Sequence, residues 1–192
     1  MSKTRLEAFS DGMFAILITV MVLELRAPVG VTWESLRPLT PVFLAYVLSF
    51  VYLSIYWVNH HHLLHTVERV NGAVLWANVH LLFWLSLVPF MTAWLGENHN
   101  AAVPTAIYGV VMLFAAISYW ILVNAIIAQQ GPHSKLKAAI GNDIKGKVSI
   151  LIYAGGAALA FVQPLLADAS YVAVALLWLV PDRRIERRLE HA

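Results

Sequence analysis

Arg5-Leu6-Glu7-Ala8-Phe9-Ser10-Asp11-Gly12-Met13-Phe14-Ala15-Ile16-Leu17-Ile18-Thr19-Val20-Met21-Val22-Leu23 is the stretch that decides the fold. It is long and apolar enough to cross a bilayer, and Asp11 stands at its mouth. A charged group inside or at the rim of a span is costly unless it has a partner or a polar cavity. Arg5, six residues upstream, and the adjacent Ser10 are the first candidates. No small-residue cleavage site follows, so the segment is expected to be retained as a span rather than removed as a signal peptide.

The rest of the chain agrees with a membrane reading. Of its 192 residues 60% are apolar and only 12% are charged, and the mean hydropathy is +0.70. That composition excludes a disordered chain and points to an all-α, polytopic membrane protein. Cysteine is absent, which removes disulfides, thiolate catalysis and cysteine-held metals. The net charge of +2 comes with no basic stripe interleaved with aromatics, so nucleic acid is not an expected partner.

Six apolar segments follow one another, at roughly 9–25, 41–59, 73–95, 103–128, 147–166 and 169–181. A span takes about 20 apolar residues; the first five meet this and the sixth is short. Turn and charge signals separate them at Pro28 and Gly30, Gly72, Gly96 to Asn100, Gly131-Pro132 and Asp168. With the N-terminus in the cytoplasm, eleven of the thirteen Lys and Arg residues fall inside and only Arg26 and Arg37 fall outside. That bias predicts an even number of spans with both termini cytoplasmic. The chain divides into a six-span unit, 1–181, and a short basic cytoplasmic tail, 182–192; Pro181 to Ala192 is expected as a surface helix. Asn124, Ser118, Ser86 and Gln163 are expected to bond between helices. The run Ala154, Gly155, Gly156, Ala157, Ala158 and Ala160 is expected to be a close-packing face, and Trp84, Trp94, Trp120 and Trp178 to be packing or interface residues.

In the first span Ile16, Val20 and Leu23 lie at i, i+4 and i+7, on one helical face bordered by Thr19. Spacing alone suits a face turned to lipid or to a neighbouring helix. Arg5, Phe9-Ser10-Asp11, Ala15-Ile16, Thr19 and Leu23-Glu24 together, however, resemble the opening of the transmembrane protein 175 family of potassium channels. Trp57 and His60, at the end of the second span, are similar to that family's Trp-x-x-His element. The six-span layout agrees, so the resemblance covers essentially the whole chain.

The resemblance implies a prokaryotic, single-repeat subunit in the cell membrane that assembles as a homotetramer around a central pore. It implies a leak-type potassium channel lacking the Thr-Val-Gly-Tyr-Gly filter, which this sequence lacks too. The first helix would line the pore, with Ile16 at the constriction, Val20 and Leu23 as further hydrophobic rings, and Thr19 as the matching threonine. Val20 stands where other members carry leucine, which would widen that ring. Arg5, Phe9, Ser10, Asp11, Trp57 and His60 would form a supporting polar network between spans one and two. Membrane lipid, other copies of the chain and permeating potassium are the expected partners, with no cofactor and no resident metal.

Other classes find less support. His61 and His65 have the i, i+4 spacing of paired metal ligands, but no third ligand is evident. His60, His61, His62 and His65 suit a solvated helix end and could titrate near neutral pH. His80, near Asn78, admits a bis-histidine haem, although histidines more often bond between helices. Enzyme chemistry would need converging groups, and Glu24, Glu34, Glu68, Glu97 and Asp168 are scattered. A proton-coupled or cation transporter using Asp11 and His60 remains the alternative, without the repeats or broken helices such carriers show.

Overall fold

The computed structural model describes residues 2–67, 69–132, 134–141 and 143–179, with the side chains of 135 and 139 left aside. Glu68 and the expected tail helix, with Arg183, Arg184, Arg187 and Arg188, lie outside the described residues. The described chain is all-helical. Its helices are α1 (Lys3–Leu23), a 3-10 helix (Trp33–Leu39), α2 (Thr40–His65), α3 (Gly72–Ser86), α4 (Val88–Glu97), α5 (Ala102–Gln130), α6 (Lys135–Ile140), α7 (Ile144–Leu159) and α8 (Pro164–Leu179).

Local chemistry sets the ends. The Ser2 side chain accepts from Arg5 N at the start of α1, and Asn71 Oδ1 accepts from Val74 N, 2.9 Å, at the start of α3. These caps satisfy amides that a helix leaves unpaired at its first turn. Gly131, at φ 76°, ends α5 in a conformation that glycine enters without strain.

Three expected spans are drawn differently. The third, 73–95, is a helix interrupted at Leu87. Pro89 has no N–H for the carbonyl four residues back and crowds it, which kinks the segment. Gly72–Glu97 nonetheless remains 26 residues of apolar character. The boundary between the fifth and sixth falls at 160–163, not at Asp168. Val162 N and Gln163 N both fold back on Leu159 O, at 2.9 and 2.8 Å, and Pro164 opens α8. Proline fits the first helical position and disfavours helix in the residue before it. Asp168 therefore lies inside α8.

Among the described residues four pieces are long and apolar enough to cross a membrane: Lys3–Leu23, Trp33–His65, Gly72–Glu97 and Ala102–Gln130. α8 is described from Pro164 to Leu179, and α7 is shorter than these spans, at 16 residues. That is about 24 Å at about 1.5 Å per residue, against a hydrocarbon core of about 30 Å.

At the centre, α5 packs on α3, α4, α7 and α8, while α1 packs on α2, α3 and α4. Buried hydroxyls join the layers. Thr92 Oγ1 donates to Ser49 Oγ at 2.7 Å, Ser49 meets the Tyr108 hydroxyl at 3.0 Å, and the Tyr52 hydroxyl donates to the Tyr171 carbonyl. Of the expected interhelical groups, Ser118 does bond across, to His80. Asn124 and Ser86 bond within their own helices, to Trp120 O and Phe83 O. No side-chain hydrogen bond is found for Gln163 among the described residues, and its backbone closes the α7–α8 turn.

The small-residue run does pack closely, on one side. Gly156, Ala157 and Ala160 are buried, while Ala154, Gly155 and Ala158 are exposed. A Cβ on Gly156 would come within 2.6 Å of both Ser170 Oγ and Tyr171 Cε1. Tyr171 also rests against Gly109 of α5, so the ring has no free side to retreat to. Gly156→Ala is expected to destabilise the protein by roughly 1.5 kcal/mol through overpacking. A lowered midpoint of thermal unfolding in detergent is the measurement, with Gly155→Ala, where a Cβ meets nothing within 4 Å, as the control.

Candidate pore-lining helix and its polar anchor

The two faces of α1 differ in kind. Leu6, Ser10, Phe14, Leu17 and Met21 are buried against the rest of the subunit. Phe9, Gly12, Ile16, Thr19, Val20 and Leu23 are exposed, Ile16 at 57% and Leu23 at 80%. Nothing lies within 4 Å of a Cβ placed on Gly12. All four residues expected to line a pore, Ile16, Thr19, Val20 and Leu23, thus share the face of α1 that this subunit leaves uncovered.

Thr19 is polar within that face. Its Oγ1 lies 3.0 Å from Ala15 O and 2.9 Å from Ile16 O. A hydroxyl has one proton and two lone pairs. With the proton spent on its own helix, Thr19 presents lone pairs outward, an arrangement suited to a cation rather than an anion.

The opposite face is held by a directed chain of hydrogen bonds. His60 Nε2 lies 2.6 Å from Asn78 Oδ1, and Asn78 Nδ2 donates to Ser10 Oγ at 3.0 Å. Ser10 Oγ in turn donates to Leu6 O at 2.9 Å. Since Oδ1 can only accept, the His60 Nε2 position carries the proton. The chain ties α2 through α3 to α1, and all three side chains are buried to within 1% of full enclosure. The Phe14 ring covers His60, with centroids 5.7 Å apart.

Asp11 belongs to a separate contact. Trp57 Nε1 donates to Asp11 Oδ1 at 2.9 Å, in an exposed setting. Ser10 and Asp11 are neighbours in sequence but about 100° apart around the helix, so they reach different groups. The expected network is therefore two latches between α1 and its neighbours rather than one. Arg5 joins neither: it is exposed, and the ion pair at this end of α1 is Lys3 with Glu7, at 3.7 Å. Six residues place Arg5 and Asp11 about 240° apart on the helix, so they cannot meet. Phe9 is exposed and belongs to the uncovered face.

Asn78 is the member that reading the sequence did not place in the site. An amide side chain in an apolar span was the available signal, since it must find partners there. Asp11 and His60 share no hydrogen-bond chain, which leaves a proton-coupled path between them without a wire. The His61 ring lies tilted or edge-on to Trp57, His62 and His65, and no group of three or more His, Asp or Glu side chains is arranged to hold a metal among the described residues. His80 Nε2 accepts from Trp84 Nε1 at 3.0 Å, and its Nδ1 faces Ser118 Oγ at 3.3 Å. Both ring nitrogens are engaged, Nε2 within α3 and Nδ1 across to α5, an interhelical role rather than a haem ligand's.

Known proteins resemble this chain in sequence and in fold. The family model described as "Endosomal/lysosomal potassium channel TMEM175" matches residues 5–89, a stretch that holds Ser10, Asp11, Trp57, His60 and Asn78. A potassium channel of Chryseobacterium sp. (strain P1-3) is 55% identical over 190 residues, 99% of each chain. A potassium channel of Streptomyces collinus is 34% identical over 183 residues, 90% of this chain and 89% of that one. Among solved structures, that of a lysosomal potassium-selective channel TMEM175 homologue from Chamaesiphon minutus superposes with a TM-score of 0.80. It is 29% identical and covers 94% of this chain and 97% of that chain. With the family model, a near full-length relative and the fold in agreement, this chain belongs to the TMEM175 family.

Proposed function

We propose that this protein is a potassium-selective, leak-type ion channel of the cell membrane, formed by four copies of the chain around a pore lined by α1. The single observation that carries the pore assignment is the uncovered face of α1. Ile16, Thr19, Val20 and Leu23 lie on it, while the other face is locked to α2 and α3. The relatives named above are described as channels and not as enzymes.

The physics of selectivity follows from that face. A ring of Ile16 side chains offers nothing to replace an ion's hydration shell. Potassium holds its water less tightly than sodium and loses less on partial dehydration. A narrow apolar ring also closes by dewetting. Oxygen lone pairs at Thr19, one turn further on, would hold a partly hydrated cation beside the constriction. Six spans per subunit, with both termini cytoplasmic, complete the proposal; the α7–α8 hairpin supplies the last two.

Ion flux in liposomes tests the reading. Purified protein, shown by native mass spectrometry to be tetrameric, is expected to pass potassium in preference to sodium under opposing gradients. Equal flux of the two ions would remove potassium selectivity, and a monomeric or dimeric conducting species would remove the four-fold pore.

A further inference from the structure

A second polar group lies far from α1. Asp168 is four residues into α8, the only charged residue among the 16 of that helix. A carboxylate at that depth calls for a partner. Among the described residues Asp168 makes no ion pair, and its Oδ1 is buried without a hydrogen-bond donor. Asp168 lines a groove of about 550 Å³ between α2 and α8. Most of the wall is aliphatic, with Leu44, Val47 and Val51 on one side and Val172 and Leu176 on the other. Thr40, His99 and Asn100 line it too.

Two properties of the groove select its occupant. Its walls carry bulky aliphatic side chains, whereas helices that pack in membranes favour small residues at the contact; a flexible acyl chain has no such need. The unpartnered carboxylate asks for a cationic donor, and His99 and Asn100 can donate to a phosphate.

We infer that the α2–α8 groove is a binding site for a phospholipid with a primary-amine headgroup, such as phosphatidylethanolamine. The ammonium bonds to Asp168, the phosphate lies toward His99 and Asn100, and one acyl chain fills the aliphatic wall. The site does not depend on the pore assignment.

Native mass spectrometry of the full-length protein tests this with three lipids of identical acyl chains. Phosphatidylethanolamine carries N–H donors, phosphatidylcholine carries the same charge without them, and phosphatidylglycerol is anionic. The wild type is expected to retain the ethanolamine lipid about tenfold more than either other, the worth of one charge-assisted hydrogen bond. Asp168→Asn is expected to bring that ratio to about one. Val172→Trp, which fills the groove, is expected to lower retention of all three, and it serves if Asp168→Asn does not fold. Equal retention by the wild type overturns the inference, as does a preference that survives either substitution. Disulfide formation between subunits in an Asp168→Cys/Arg26→Cys double variant would also overturn it, by showing that an arginine of a second copy occupies the groove.

Discussion

Ile16→Asn is expected to lower the potassium-over-sodium permeability ratio by about tenfold, equivalent to about 1.4 kcal/mol of lost discrimination. Asparagine is shorter than isoleucine and offers a carbonyl and an amide to water. Four such side chains would wet the narrowest part of the pore, so neither ion would have to shed water there. Sodium, which loses more by dehydration, gains more from the change. The same wetting removes a dewetting barrier, so total conductance should rise as selectivity falls. Because Ile16 is 57% exposed and packs on nothing essential inside the subunit, the substitution should leave folding and assembly intact. Reversal potentials under bi-ionic conditions are the measurement, with Ile16→Leu as a size-conserving control that should stay selective. An unchanged ratio in Ile16→Asn would place the constriction elsewhere on α1, with Val20 and Leu23 next in line.

How much of this could be read beforehand depends on the range of the interaction. The apolar runs that became α1, α2 and α5 are local signals; they place α5 to within two residues and miss the polar start of α1 and the histidine-rich end of α2 by six each. The exposed face at Ile16, Thr19, Val20 and Leu23 follows from helical spacing, with the resemblance supplying its meaning. The kink at Leu87 was also local: Pro89 stood inside the third apolar run, but the run's length masked it. Pro164 carried the same kind of information for the α7–α8 turn and was outweighed by Asp168, whose charge suggests a boundary. Arg5 and Asp11 were paired by charge and proximity in sequence, although six residues of helix hold them on different sides. Asn78 could not be joined to Ser10 and His60 without knowing how three helices are rotated about their axes. Hydropathy carries no such azimuth, so the central group of the anchor was visible only as an isolated amide in an apolar span.

Asn78→Leu tests that anchor, and its expected cost is about 2–3 kcal/mol of stability. Leucine keeps the branching and heavy-atom count of asparagine but is bulkier, so some overpacking adds to the main effect, which is one of orphaned polar groups. His60 loses the acceptor for its Nε2–H in a site that is 1% exposed, and such a group costs about 1–3 kcal/mol when left unpaired. Ser10 is less affected, because its hydroxyl proton still has Leu6 O, at 2.9 Å. Interhelical bonds in membrane proteins average only about 0.6 kcal/mol in double-mutant cycles, so the loss should come mainly from the stranded imidazole. A second substitution separates the two contributions. Replacing His60 as well, by phenylalanine, removes the stranded donor and should recover most of the stability, since apolar replacement of both partners is close to neutral. Thermal unfolding of the detergent-solubilised protein reads both effects, and bi-ionic reversal potentials of what remains assembled should match wild type, because the exposed face of α1 is untouched. If Asn78→Leu proved as stable as wild type, or changed ion preference while leaving stability alone, the chain from His60 to Ser10 would be part of the permeation path and not the fastening that holds α1 to its subunit.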